Sequence, residues 1–144
     1  VDEIYSCGNF EYFDRDYAPN VLKEWKRVLK PNGTLYISVP DFKSIVEVYE
    51  TNGGDLEGEG ILGPIFGKWQ YNTQTGKPKF IYHKTVYDFK SLSNMLNKIG
   101  YTEIKRYNCW KFLPDTFDDF SKAYVPYKDK NGIQISVNIK CKKL

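Results

Sequence analysis

A single histidine, His83, stands in Tyr82-His83-Lys84, and an imidazole ordinarily titrates near neutral pH. Two roles suit it, a general base or substrate contact, or a packed or capping side chain. Asp41 lies where a β-rich run passes into a helical one, a place from which a carboxylate can touch a substrate; capping the helix is the simpler account. Glu11 reads as a structural carboxylate that orients the loop after the first strand. Trp69, Tyr71 and Tyr82 are rings that suit an acceptor pocket or ordinary aromatic packing equally well. Asp115, Asp118 and Asp119 fall in a polar stretch and read as a solvated face, so no metal site is expected. Cys7, Cys109 and Cys141 lie far apart without metal-ligand spacing. An odd count with no framework suggests reduced thiols and a cytoplasmic protein.

The elements that must position these groups follow from periodicity. Val1 to Ser6 reads as a short strand, followed by a Cys7-Gly8-Asn9 turn. A helix over about 16–29 places Ala18, Val21, Leu22, Trp25, Val28 and Leu29 on one face; Pro19 suits its first turn and Pro31-Asn32-Gly33 stops it. Thr34 to Val39 is β-rich, with Leu35, Ile37 and Val39 on one side. A second helix starts at Asp41 and is expected to carry Phe42, Ile45, Val46 and Tyr49 inward. Residues 53–79 are Gly-rich around an apolar island, Ile61 to Phe66, and read as a long loop of the lid or binding type. A third helix over 88–99 carries Phe89, Leu92, Met95, Leu96 and Ile99, with Gly100 as its cap, and 102–108 is a further strand. Ile133, Ile135, Val137, Ile139 and Cys141 alternate with polar residues, which predicts a last strand that is antiparallel or at an edge. Alternating strands and helices indicate an α/β fold with a sheet covered on both faces.

The length, 144 residues, suits one domain with its own core. No apolar run approaches a membrane span and no signal peptide is apparent, so no membrane partner is expected. The net charge of +3 is spread over scattered lysines, which does not make a nucleic-acid footprint. The chain opens on Val1 within a strand, and sequence is expected to be missing upstream.

Three segments together resemble the class I S-adenosylmethionine-dependent methyltransferases of the small-molecule type. Val1-Asp-Glu-Ile-Tyr-Ser-Cys-Gly-Asn-Phe-Glu-Tyr-Phe13 is similar to the family's fourth strand and loop, written D-x-I-x-x-x-x-V-L-E-H. Val21 to Asp41, with its Leu29-Lys-Pro-Asn-Gly33 turn, is similar to the family's next helix and fifth strand. His83, the helix ending Met95-Leu-Asn-Lys-Ile-Gly-Tyr101 and the final strand resemble the H…L…L…aGF segment and closing hairpin. In two places the chain departs from the pattern: Tyr12 replaces the His after Glu11, and Asn9-Phe10 replaces Val-Leu. A strand-one G-x-G-x-G loop and the acidic residue ending strand two are absent; Gly58-Glu-Gly60 lies in the wrong place.

The resemblance implies the C-terminal part of a Rossmann-like methyltransferase sheet with an antiparallel last strand. It implies one partial domain over 1–144, its N-terminal cofactor-binding segment missing, with a lid-like loop over 53–79. The implied activity is methyl transfer from S-adenosylmethionine to a small-molecule acceptor, sugar-type acceptors included. Ser6, Cys7, Gly8 and Phe10 would lie beside the methionine and sulfonium portion; Asp41, Trp69 and Tyr82 would face substrate; and His83 would be the candidate base. The rings could also cover a sulfonium by cation–π attraction. A non-catalytic remnant serving as a binding or dimerisation module is the alternative. The strand formed by Val1 to Ser6 is expected to leave an open sheet edge that recruits a second copy.

Overall fold

The computed structural model describes residues 1–144 as a mixed α/β molecule. The first strand, β1 (Glu3–Cys7), ends in a turn at Gly8 and a short 3-10 turn, Phe10–Tyr12. Helix α1 (Ala18–Val28) follows, with Pro19 in its first turn, where the missing N–H goes unneeded. Strand β2 (Thr34–Pro40) leads into α2 (Phe42–Thr51), whose N-cap is Asp41. Next come α3 (Leu62–Phe66) and a hairpin of β3 (Trp69–Asn72) and β4 (Pro78–Ile81). Helix α4 (Phe89–Ile99) starts on a capping box, the Asp88 carboxylate accepting from the Ser91 N–H and the Ser91 hydroxyl accepting from the Asp88 N–H. The chain closes with β5 (Tyr101–Arg106), α5 (Cys109–Phe112), the two-residue strands β6 (Tyr124–Val125) and β7 (Ile133–Gln134), and β8 (Ser136–Lys143).

Four strands make one sheet in the order β1-β2-β8-β5. β1 runs parallel to β2, from Glu3 opposite Thr34 to Cys7 opposite Ser38. β8 runs antiparallel to β2 and to β5. The last strand is therefore antiparallel, as its alternation predicts, but it lies inside the sheet rather than at an edge. Both of its faces are covered, and Ser136 and Asn138 are buried along with Val137 and Ile139. β1 occupies one edge.

One face of the sheet carries the main core. Leu35, Ile37 and Val39 meet Leu22 of α1 and Leu92 and Leu96 of α4, with Phe10 and Tyr87 completing the cluster. The Tyr101 hydroxyl donates to the Leu22 carbonyl at 2.9 Å and ties α1 to β5. On the other face Tyr36 stacks on Phe112 with ring centroids 4.2 Å apart. There the Ser121 carbonyl accepts from the side chains of Gln134, Ser136 and Asn138. That arrangement satisfies polar groups that a sheet face would otherwise bury unpaired.

Three expectations are corrected by packing. Val28 is exposed, because α1 ends there and the chain turns back through Leu29, which is buried in its place. α2 buries Ile45 and Val48 against Ile61 and Ile135, and leaves Phe42, Val46 and Tyr49 exposed. Residues 53–79 are not one long loop: they include α3, β3 and the first half of β4, and Ile61 anchors them in the smaller core. Trp25 is half-buried and packs on Phe10 with centroids 5.6 Å apart. Trp25→Ala is accordingly expected to cost about 2–3 kcal/mol, at or below the low end of the range for a fully buried tryptophan. Val28→Ala is expected to change stability by less than about 0.5 kcal/mol. Urea titration of both variants checks the assignment, and equal losses would contradict it.

Candidate functional site

In open α/β sheets, chemistry gathers beyond the carboxyl ends of the strands. Here that region begins with Ser6, Cys7 and Gly8. The Gly8 amide donates to the Ser38 carbonyl at 3.0 Å, crossing from β1 to β2. Gly8 has a φ of +62°, the left-handed conformation that glycine adopts without strain. The Ser6 hydroxyl is buried and has no protein partner, and the same is true of Ser38. Burial pushes the Cys7 thiol up to about 11, with the Asp119 carboxylate adding to the effect. The thiol is therefore held neutral and is not a nucleophile at physiological pH.

Phe10 takes another place from the one expected. It is fully buried, stacked on Tyr87 at 5.4 Å and tilted against Trp25. Its ring is part of the core and offers no surface to a cofactor. An aromatic residue after a tight turn can point either way, and here it packs under α1 against Trp25. Asp41 is a helix cap: its carboxylate accepts from the Lys43 amide at 3.2 Å and the Ser44 hydroxyl at 3.1 Å. It is buried and its backbone bridges to Tyr87, so its carboxylate is taken up by the cap. Trp69 and Tyr82 lie on or beside the β3–β4 hairpin, and both are exposed.

What the structure brings together instead is Glu11 and His83. The His83 Nε2 lies 3.5 Å from Glu11 Oε1, with side chains 8% and 2% exposed. The His83 Nδ1 is 2.8 Å from the Pro64 carbonyl. A carbonyl can only accept, so Nδ1 carries a proton. The Tyr12 ring meets the imidazole edge-on at 4.7 Å. Burial pushes the Glu11 carboxyl up to about 7 and lowers His83. Nδ1 is thus committed to a carbonyl and Nε2 faces the Glu11 carboxyl in a nearly closed environment, so His83 does not stand open to solvent. Glu11 is the residue that sequence reasoning underrated. Its signal was a carboxylate within an otherwise apolar and aromatic run, Phe10-Glu-Tyr-Phe13, that has to be buried with a partner.

The connection runs on to the cofactor-side turn. The nearest atom to a side chain built on Gly8 is Glu11 Oε1, at 3.9 Å. From Glu11 through His83 to Pro64, contacts join the loop after β1 to α3 at the base of the hairpin.

The sheet order decides the fold. A parallel pair, then an antiparallel final strand inserted between the second and the last parallel strands, is the C-terminal half of one known sheet. A chain from Thermotoga maritima described as a SAM-dependent methyltransferase shares it, with a TM-score of 0.51 and 18% identity over 99% of this chain and 56% of that one. A SAM-dependent methyltransferase of Methanosarcina mazei aligns at 0.50 and 17% identity, over 100% of this chain and 59% of that one. One from Archaeoglobus fulgidus aligns at 0.51 and 13%, over 99% and 59%.

The fold is that of the class I methyltransferases. The chain spans rather more than half the length of these methyltransferase structures. No family model matches the sequence, and no curated protein does. The parallel β1–β2 pair with the antiparallel β8 beside it agrees with the resemblance read from the sequence. No helix is long and apolar enough to cross a membrane.

Proposed function

We propose that this chain is the acceptor-side half of a methyltransferase that uses S-adenosylmethionine and methylates a small molecule, sugar-type acceptors included. The observation that carries this reading is the placement of Ser6, Cys7 and Gly8 at the carboxyl end of β1 within a methyltransferase sheet. The residues present suit one wall of the cofactor. The exposed, left-handed Gly8 leaves the strand end open, and the buried Ser6 hydroxyl lacks a protein partner.

S-adenosylmethionine, when bound, supplies a methyl group already activated by its sulfonium. The work left to this chain is alignment and exclusion of water. Ser6 to Gly8 orient the cofactor side. The hairpin, carrying Trp69 and Tyr71 with Tyr82 at its foot, faces the acceptor and acts as the lid. The Glu11–His83 contact fixes the distance between the two.

The chain has no G-x-G-x-G loop, so affinity for the cofactor is expected to be low, with a Kd of about 1 mM, equivalent to about 4 kcal/mol. Titrating S-adenosylhomocysteine into the 15N-labelled chain checks this directly. Amide shifts should be concentrated at Ser6, Cys7, Gly8 and their neighbours in β2. Shifts scattered over the surface, or none at several millimolar, would count against the reading.

A further inference from the structure

We propose that Glu11 and His83 share one proton, and that this proton latches the segment 61–83 onto the loop following β1. The segment is docked in the one-proton state and loosens when the pair loses that proton or gains a second. This concerns regulation of the site proposed above, and rests on that reading only for its consequence, the closing of the acceptor side.

The latch is built at its foot. The His83 amide donates to the Phe66 carbonyl at 2.8 Å, and Nδ1 donates to the Pro64 carbonyl at the same distance. The Lys84 amide donates to the Glu11 carbonyl at 2.9 Å, and the Tyr12 hydroxyl donates to the Gly67 carbonyl at 3.1 Å. Two segments far apart in sequence are thereby held to one imidazole and one carboxyl group.

The proton count follows from the donors. With Nδ1 committed to a carbonyl, Nε2 either carries a second proton toward a carboxylate or presents a lone pair to a protonated carboxyl group. One proton lies between them in both descriptions. Removing it sets a lone pair against a carboxylate whose second oxygen, Oε2, is buried without a partner, a costly arrangement. Adding another leaves a buried cation beside a neutral acid. The charged and titratable groups around the pair do not compensate. Tyr12 packs its ring on His83, and Tyr87 faces Glu11 with its hydroxyl unpartnered. Arg15 is stacked over Tyr87 rather than paired with Glu11, Asp14 acts on Tyr87 with the opposite sign, and Lys84 is exposed.

The pH window has two sides. Burial holds Glu11 above its ordinary range, so its contribution is complete below about 4.5 and is lost as pH rises through about 7. Burial lowers His83, so its contribution is present above 6.5 and is lost as pH falls through the depressed value. Docking is firmest between the two.

The test is a pH titration of the 15N-labelled chain without cofactor, following the Gly67 and His83 amides and the imidazole nitrogens. Wild type should show a transition centred near pH 7 at both amides. Glu11→Gln, whose amide can donate to Nε2 without titrating, should stay in the docked position from pH 6 to 8.5. A wild-type chain with no transition in that range, or a Glu11→Gln chain that titrates like wild type, overturns the latch. Should Glu11→Gln fail to fold, His83→Gln decides: a surviving transition at Gly67 overturns the proposal, and its loss supports it. No cofactor is present, so failure here leaves the Ser6 to Gly8 binding test untouched.

Discussion

Replacing Phe10 by alanine is expected to cost about 3–5 kcal/mol of folding free energy, the range for truncating a fully buried aromatic side chain. Phe10 has no exposed surface and sits between Tyr87, Trp25 and Phe13. Phe13 comes from the loop after β1, Trp25 from α1, and Tyr87 from the segment leading into α4. Removing Phe10 takes away the group that all of them share, and the offset stack with Tyr87 contributes beyond area alone. Urea denaturation followed by circular dichroism measures the loss. Phe10→Leu, which keeps most of the volume, should recover more than half of it. A Phe10→Ala chain within about 1 kcal/mol of wild type would show that the ring is not part of the core.

Gly67→Ala is expected to undo the docking of the hairpin. Gly67 ends α3 with a φ of +54°, and a Cβ there would run into the His83 imidazole. The left-handed conformation costs a non-glycine residue about 1–2 kcal/mol, and the ring must leave its place against Glu11 as well. Hydrogen exchange at the His83 and Gly67 amides should accelerate at least about tenfold, corresponding to about 1.4 kcal/mol of local stability. Gly63→Ala is the control, since nothing lies within 4 Å of the added methyl group. That variant should leave exchange at both amides unchanged. Equal behaviour of the two variants would mean that the Gly67–His83 contact does not hold the hairpin.

Much of the framework was legible from local pattern. Leu35, Ile37 and Val39 alternate along β2 and are all buried. Asp88 and Gly100 bracket α4, and the structure uses them as its two caps. Asp41 reads as an N-cap and is one. In each case a residue's neighbours in sequence are also its neighbours in space, so period and capping chemistry suffice. The order of the sheet was legible only through the resemblance of three segments to a known pattern, because pairing across the sheet leaves no trace in local period.

Other features were decided by tertiary contact. The apolar positions of α2 form more than one stripe, and the Ile45–Val48 stripe is buried because Ile61 and Ile135 arrive there from distant parts of the chain. The final strand has the alternation of a half-exposed strand, yet it lies between β2 and β5, where the short segment around Ser121 covers its polar side chains. Phe10 could equally have faced a ligand until Tyr87 and Trp25 closed around it. Glu11 and His83 each appeared alone in the sequence, one as a structural carboxylate and the other as a candidate base. Only the fold sets them 3.5 Å apart, and only burial moves their proton affinities toward each other. The sequence by itself determined which stretches become helix and strand and where most of them stop. The meeting of side chains from opposite ends of the chain was decided by the tertiary structure, because burial and charge coupling depend on distances that local spacing does not specify.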